Sequence, residues 1–186
     1  MPDELIDILN SDGKPTGEVR LKSEAHRTGL YHASVHIWFY TKEGHILLQK
    51  RAKDKDTYPD LWDVSVAGHI GVGETAINSA LREVEEEIGL VVTEEDLEFK
   101  GILLAEKQPK PDLFDNEFHH IFISEIHTSL DTLKLQEEEV SEIKLIPIKE
   151  LQQQVNDIAL SRAYVPHGSI YFDFVTNTIC EKIKDL

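Results

Sequence analysis

Residues 68–90 (GHIGVGETAINSALREVEEEIGL) constrain the fold of this chain more than any other stretch. Apolar side chains recur along the stretch at helical spacing, at Ile77, Ala80, Leu81, Val84 and Ile88. Thr75 precedes them as a residue type that caps helix N-termini, and Gly89 follows as one that suits a left-handed helix end. The pattern therefore predicts one amphipathic helix between Thr75 and Gly89.

The same helix carries three glutamates on a second face. Glu83, Glu86 and Glu87 are spaced i, i+3 and i+4, which brings their carboxylates together. Close carboxylates repel one another unless cations neutralise them, and hard oxygen ligands at this density suit Mg²⁺ or Mn²⁺. A solvated acidic helix face is the alternative explanation for such a run. Taken alone, the acidic run is better explained by such a face, and only a match of the whole stretch to a known family motif favours a metal site.

The spacing of the whole stretch resembles the Nudix box, G-x5-E-x7-R-E-U-x-E-E-x-G-U, in which U is aliphatic. All positions are present: Gly68, Glu74, Arg82, Glu83, Val84, Glu86, Glu87, Gly89 and Leu90. The resemblance implies a Nudix-type α/β/α sandwich with a mixed central sheet, formed by residues 1–186 as a single Nudix hydrolase domain. It further implies catalytic carboxylates at Glu83, Glu86 and Glu87 that bind Mg²⁺ or Mn²⁺. We also expect the carbonyl of Gly68 to add a ligand and Arg82 to orient the carboxylates through ion pairs, whereas Glu74 has either a structural role or that of a general base.

Residues 17–148 also resemble type I isopentenyl-diphosphate isomerase, a non-hydrolytic relative. The matching positions, in chain order, are Lys22, His26, His32, Trp38, residues 50–55, residues 62–69 and residues 115–117. Among them, His26, His32 and His69 match metal ligands of the isomerase, which acidic groups complete. Glu117 is the matching acid here, with Asp115 as a weaker candidate. Imidazole and carboxylate together suit Zn²⁺ or Mn²⁺, so the resemblance implies a second, transition-metal site.

Three cations are expected to bind the substrate. Lys22, Arg51 and Lys55 lie in the isomerase-like segments, and the last two match its diphosphate-binding segment. The net charge of −16 repels a polyanion, so a diphosphate needs local positive charge. Ordinary surface cations in a charged loop are the alternative explanation of Arg51 and Lys55.

Two departures from the isomerase decide which chemistry we expect. The isomerase uses a cysteine and a glutamate to move protons at an allylic carbon, and its cysteine position carries Ala67 here. A methyl group cannot transfer a proton. The isomerases also often lose most acidic residues of the box, whereas Glu83 and Glu86 are both present beside Glu87. We therefore expect an isomerase-like member of the hydrolytic group.

Composition narrows the range of partners. The charge of −16 argues against affinity for nucleic-acid polymers. No apolar run approaches the ~20 residues that span a bilayer, and the acidic start lacks the layout of a secretory signal, so no membrane association is expected. The single cysteine, Cys180, suits a reducing cytoplasm. A homodimer remains open.

We expect a divalent-metal-dependent hydrolase of a diphosphate bond, acting on a small nucleoside- or prenyl-diphosphate-type substrate. Isomerase-like activity and a non-catalytic binding module are the alternatives. For the rest of the chain, alternation predicts a hairpin of residues 32–40 and 45–50 and a strand over residues 61–67. Helices are predicted over residues 148–155 and 171–184.

Overall fold

The computed structural model describes residues 3–184. Nine strands lie in chain order at β1 Leu5–Leu9, β2 Pro15–Leu21, β3 His32–Tyr40, β4 His45–Arg51, β5 Trp62–Asp63, β6 Val66–His69, β7 Glu98–Lys110, β8 Leu113–Glu125 and β9 Val140–Pro147. Four α-helices accompany them: α1 Lys22–Thr28, α2 Ala76–Ile88, α3 Ile148–Asn156 and α4 Ser169–Lys184. No helix among the described residues is both long and apolar enough to cross a bilayer.

Seven strands form one mixed sheet, and β1 and β2 pair separately as a hairpin. Strand β3 is central: it pairs in parallel with β8 and antiparallel with β6. Strand β7 extends the sheet beyond β8, and β4 lies between β5 and β9. Because β6 leads directly into the loop before α2, its pairing with β3 fixes where that helix begins.

Helices cover both faces of the sheet, because β3 is apolar on both sides along its second half. Val35, Ile37 and Phe39 point to one face and pack with the apolar stripe of α2. Trp38 and Tyr40 point to the other and pack with residues of α3 and α4. These two cores make the chain an α/β/α sandwich with a mixed central sheet, as the sequence predicted.

Two local predictions were wrong in detail. The two strands of the hairpin form as predicted, but β3 and β4 pair only next to the turn, Tyr40 with Ile46, because β6 occupies the same edge of β3 farther from the turn. The strand predicted over residues 61–67 is divided into β5 and β6. The side chain of Ser65, which lies between them, instead donates to the carbonyl of Leu47 and accepts from the backbone amide of Phe39. The helices over residues 148–155 and 171–184 are confirmed within about two residues.

Candidate metal and diphosphate site

Helix α2 positions the acidic residues because its two ends and its apolar stripe are all fixed. The hydroxyl of Thr75 accepts a hydrogen bond from the backbone amide of Asn78 at 3.3 Å. Gly89 ends the helix in the left-handed conformation, with φ of 66°. Between them, Ala80 and Val84 are fully buried against the sheet. This packing determines the direction of every other side chain on the helix.

Two of the three glutamates expected to bind the metal are buried at the contact between α2 and β6. The solvent-exposed fraction of Glu83 is 8%, and that of Glu87 is 4%. The backbone amide of Ala67 donates to Oε2 of Glu87 at 3.3 Å. Gly68 faces Glu83 so closely that a Cβ atom there would lie 2.0 Å from its Cδ. The box glycine is therefore required by the space that the Glu83 carboxylate occupies.

Arg82 connects the acidic residues of the box. Its Nη1 donates to Glu83 at 2.7 Å and to Glu86 at 3.0 Å. Its Nη2 donates to Glu74 and to the carbonyl of His69, both at 3.1 Å. Glu74 in turn accepts from the hydroxyl of Ser79 and the amide of Gly71. The guanidinium thus holds Glu83 and Glu86 in place, while Glu74 anchors the guanidinium.

The buried carboxylates are short of positive charge. Burial raises the pKa of Glu83 to about 7, against the opposing effect of Arg82. Burial and the neighbouring Glu83 and Glu139 raise the pKa of Glu87 well above its usual range. A divalent cation would remove this penalty and would find hard oxygen ligands, so the residues fit Mg²⁺ or Mn²⁺. An open cavity of about 560 Å³, lined in part by Arg82 and Glu86, adjoins this helix face.

The second predicted metal site is also assembled in space. His26 from α1, His32 from β3, His69 from β6 and Glu117 from β8 bring one ligand atom each within 4.8 Å of one another. Nε2 of His26 lies 3.1 Å from Nε2 of His69. An oxygen of Glu117 lies 3.7 Å from Nε2 of His32 and 3.8 Å from Nε2 of His69. These four residues form the first histidine cluster.

Hydrogen bonds on the outer side of this cluster orient two of the rings. Nδ1 of His26 lies 2.9 Å from the carbonyl of Phe114, and Nδ1 of His32 lies 3.0 Å from the carbonyl of Leu30. A carbonyl only accepts, so both rings carry their proton on Nδ1 and direct the Nε2 lone pair inward. Nε2 of His32 is buried without a hydrogen-bond partner. Asp115 also contacts His26 at Nδ1, at 3.1 Å, so it supports a ligand from behind.

The three predicted substrate cations have different surroundings. Lys55 forms an ion pair with Glu139, and its positive charge opposes the rise in the pKa of Glu87. Lys22 pairs with Glu4 at 3.4 Å.

Arg51 is the most constrained of the three cations. Its guanidinium donates to the carbonyl and hydroxyl of Thr57 and to Asp63, each at 3.1 Å. The Arg51 side chain therefore braces the loop after β4.

Sequence reasoning assigned no role to a second group of histidines. His36, His119 and His167 bring ring nitrogens within 4.8 Å of one another, on the same side of the sheet as the first cluster. Strand periodicity was the signal available in the sequence, since residues at even separations along a strand lie on the same face of the sheet. His32 and His36 are related in this way on β3, and so are Glu117 and His119 on β8. The approach of His167, 131 residues after His36, had no sequence signal.

Comparison with known proteins agrees with this geometry. A family model described as the NUDIX domain matches residues 30–167. Nudix hydrolase 3 of Arabidopsis thaliana is 37% identical over 171 residues, covering 90% of this chain but only 22% of that protein. The isopentenyl-diphosphate Delta-isomerase of Jannaschia sp. is 29% identical over 164 residues, covering 88% of this chain and 90% of that enzyme. The crystal structure of DR0079 from Deinococcus radiodurans shares the fold, with a TM-score of 0.64 and 20% identity, over 87% of this chain and all of that one.

Proposed function

Because this chain belongs to the Nudix hydrolase family, we propose that it hydrolyses the diphosphate bond of a small nucleoside- or prenyl-diphosphate-type substrate. Enzymes of the family hydrolyse diphosphate bonds and generally use divalent metals such as Mg²⁺ or Mn²⁺. The net charge of −16 supports a small-molecule substrate rather than a nucleic-acid polymer.

The observation that carries the proposal is the burial of Glu83 against Gly68 and of Glu87 against the backbone of Ala67. Two carboxylates removed from water with raised pKa values, of which only Glu83 contacts Arg82, cost stability in the absence of a bound cation. A solvated acidic face, the alternative considered from the sequence, would leave these side chains exposed. Only Glu86, whose side chain is 52% exposed, meets that description.

In this proposal Glu83, Glu86 and Glu87 hold the cation together with the carbonyl of Gly68. When bound, the cation neutralises phosphate oxygens and lowers the pKa of water. Arg82 positions two of the carboxylates through its ion pairs. Lys55 attracts the substrate diphosphate into a chain of negative net charge, and Lys22 and Arg51 contribute positive charge around the site.

The first histidine cluster supports a second candidate, an isomerase-like activity with a transition metal at His26, His32, His69 and Glu117. Converging lone pairs on buried rings fit Zn²⁺ or Mn²⁺. Ala67 argues against isomerisation itself, because its methyl group offers no proton where the isomerase has a thiol. We therefore propose that the cluster is a metal site within a hydrolase.

A substrate panel separates these possibilities. The chain is incubated with nucleoside di- and triphosphates, a dinucleotide, ADP-ribose and prenyl diphosphates, in Mg²⁺ or Mn²⁺, and inorganic phosphate, diphosphate and nucleotide products are quantified separately. We expect hydrolysis that disappears with a chelator. Deuterium exchange into isopentenyl diphosphate without phosphate release would instead support the isomerase, and inactivity on the whole panel would favour a binding module.

A further inference from the structure

A second histidine cluster lies beside the first and has no part in the proposed hydrolysis. It consists of His36 on β3, His119 on β8 and His167 before α4, and one ring nitrogen from each lies within 4.8 Å of the others. His36 and His119 are buried at 4% and 5% exposure, and their rings stack with centroids 4.0 Å apart. The ring nitrogens of imidazoles buried this close together need either a shared ligand or a network of hydrogen bonds as partners.

Partners on the outer side satisfy one nitrogen of each ring. Nε2 of His167 lies 2.7 Å from an oxygen of the buried Asp63. Nδ1 of His119 lies 2.8 Å from the hydroxyl of Ser34. Carboxylates and hydroxyls that hold the outer nitrogen of an imidazole are the arrangement found around histidines that bind metals, because they fix the tautomer and the ring orientation.

His36 has the same kind of outer partner. Its Nδ1 lies 2.6 Å from the hydroxyl oxygen of Tyr171, which also accepts from Nε1 of Trp38 at 3.0 Å. In the tautomer that donates the Nδ1 proton to Tyr171, Nε2 of His36 carries the lone pair, whereas in the other tautomer Nδ1 accepts from the Tyr171 hydroxyl. Every ring of the cluster can thus present one free nitrogen to a common point.

The ring nitrogens that face the centre of the cluster have few or weak hydrogen-bond partners. Nε2 of His119 is buried and has no hydrogen-bond partner. Nδ1 of His167 accepts only a long contact, 3.4 Å from Nζ of Lys107. A ring that carries its proton on the outer nitrogen presents a lone pair on the inner one. An unpaired buried nitrogen costs free energy that a bound cation would recover.

We propose that His36, His119 and His167 form a zinc site, distinct from the carboxylate site on α2 and from the first histidine cluster. Three neutral imidazoles suit Zn²⁺ in tetrahedral coordination, and they leave the fourth position for water or an anion. His119, His167 and Tyr171 line a cavity of about 410 Å³ that provides this access. Lys107 lies in the same cavity wall and competes with the metal for His167.

The test removes the first histidine cluster and then measures zinc binding by calorimetry. In a His32→Gln background with saturating Mg²⁺, we expect one equivalent of Zn²⁺ to be lost when His119→Gln is added. The matched control is His120→Gln, the adjacent strand position on the opposite face, which should keep that equivalent. Ser34→Ala should weaken zinc binding by about 10- to 100-fold, because it removes the partner that orients His119.

Lys107→Met adds a readout that misfolding cannot imitate. Removal of a competing cation should tighten zinc binding by about tenfold or more. Equal zinc stoichiometry in the His119→Gln and His120→Gln variants would overturn the proposal. If circular dichroism shows that His119→Gln is unfolded, zinc anomalous scattering from crystals of the unaltered chain decides: a peak among the three rings supports the site, and its absence there refutes it.

Discussion

Gly68→Ala tests the close contact between β6 and α2 most directly. The new Cβ would lie 2.0 Å from Cδ of Glu83, and an ordinary contact begins at 3.4 Å, so the carboxylate must move by about 1.4 Å. A displacement of about 1 Å in a reacting group costs on the order of 100-fold in rate. We therefore expect kcat to fall at least about 100-fold, equivalent to about 2.7 kcal/mol of transition-state stabilisation.

The assay is steady-state hydrolysis of the best panel substrate in Mg²⁺, with circular dichroism to verify folding, since overpacking itself costs about 1–3 kcal/mol of stability. Gly71→Ala is the matched control: it lies in the same segment, and its Cβ would approach only the flexible carboxylate of Glu74, at 3.1 Å. We expect that variant to keep most of its activity. Wild-type kcat in a folded Gly68→Ala protein would refute the placement of Glu83 in the active site.

Three further predictions follow from the same site. Glu86→Gln and Glu87→Gln should each reduce turnover by orders of magnitude while the fold is retained, and near-normal kinetics in both would place the site elsewhere. Burial raises the pKa of Glu83 to about 7 in the folded metal-free protein, whereas the ordinary pKa of the group is 4.5. Between these two pH values the folded protein holds a proton that the unfolded chain has lost. The Tm of chelated protein should therefore fall as pH rises through that window, and Mg²⁺ should abolish the decline; a Tm that rises with pH would contradict this. In a Cys180→Ser background, the thiol of Ala67→Cys should react with an electrophilic diphosphate analogue and be protected by substrate only when Mg²⁺ is present, whereas rapid labelling unaffected by both would place residue 67 outside the pocket.

The box helix could be predicted from the sequence because its determinants are local. Cap, apolar stripe and C-terminal glycine all lie within about four helical turns, and each has one physical reason for its position. The ion pair of Arg82 with Glu86 follows from the same helical spacing, because the two residues stand at i and i+4. The first histidine cluster was found differently, through resemblance to the isomerase, since its ligands come from four separate elements.

What the sequence did not predict depends on register between distant strands. The free edge of β3 could belong to β4 or to β6, and only packing in three dimensions selects β6. Likewise, nothing near Asp63 in the chain shows that it binds both Arg51 and His167. Pairing that joins residues more than 100 positions apart has no local pattern, so the second histidine cluster was missed.

The parallel pairing of β3 with β8 has a consequence for how the protein folds. The register runs continuously from His32 opposite Glu117 to Tyr40 opposite Glu125, and it joins segments separated by 85 residues. Such a contact has a large loop-closure entropy and forms slowly, typically in milliseconds to seconds for topologies dominated by non-local pairing. Since both histidine clusters include residues from each of these two strands, neither can exist in a nascent chain that ends before β8. Metal binding as proposed for the first cluster therefore requires that β8 has been synthesised, and the site proposed at the second cluster also requires His167.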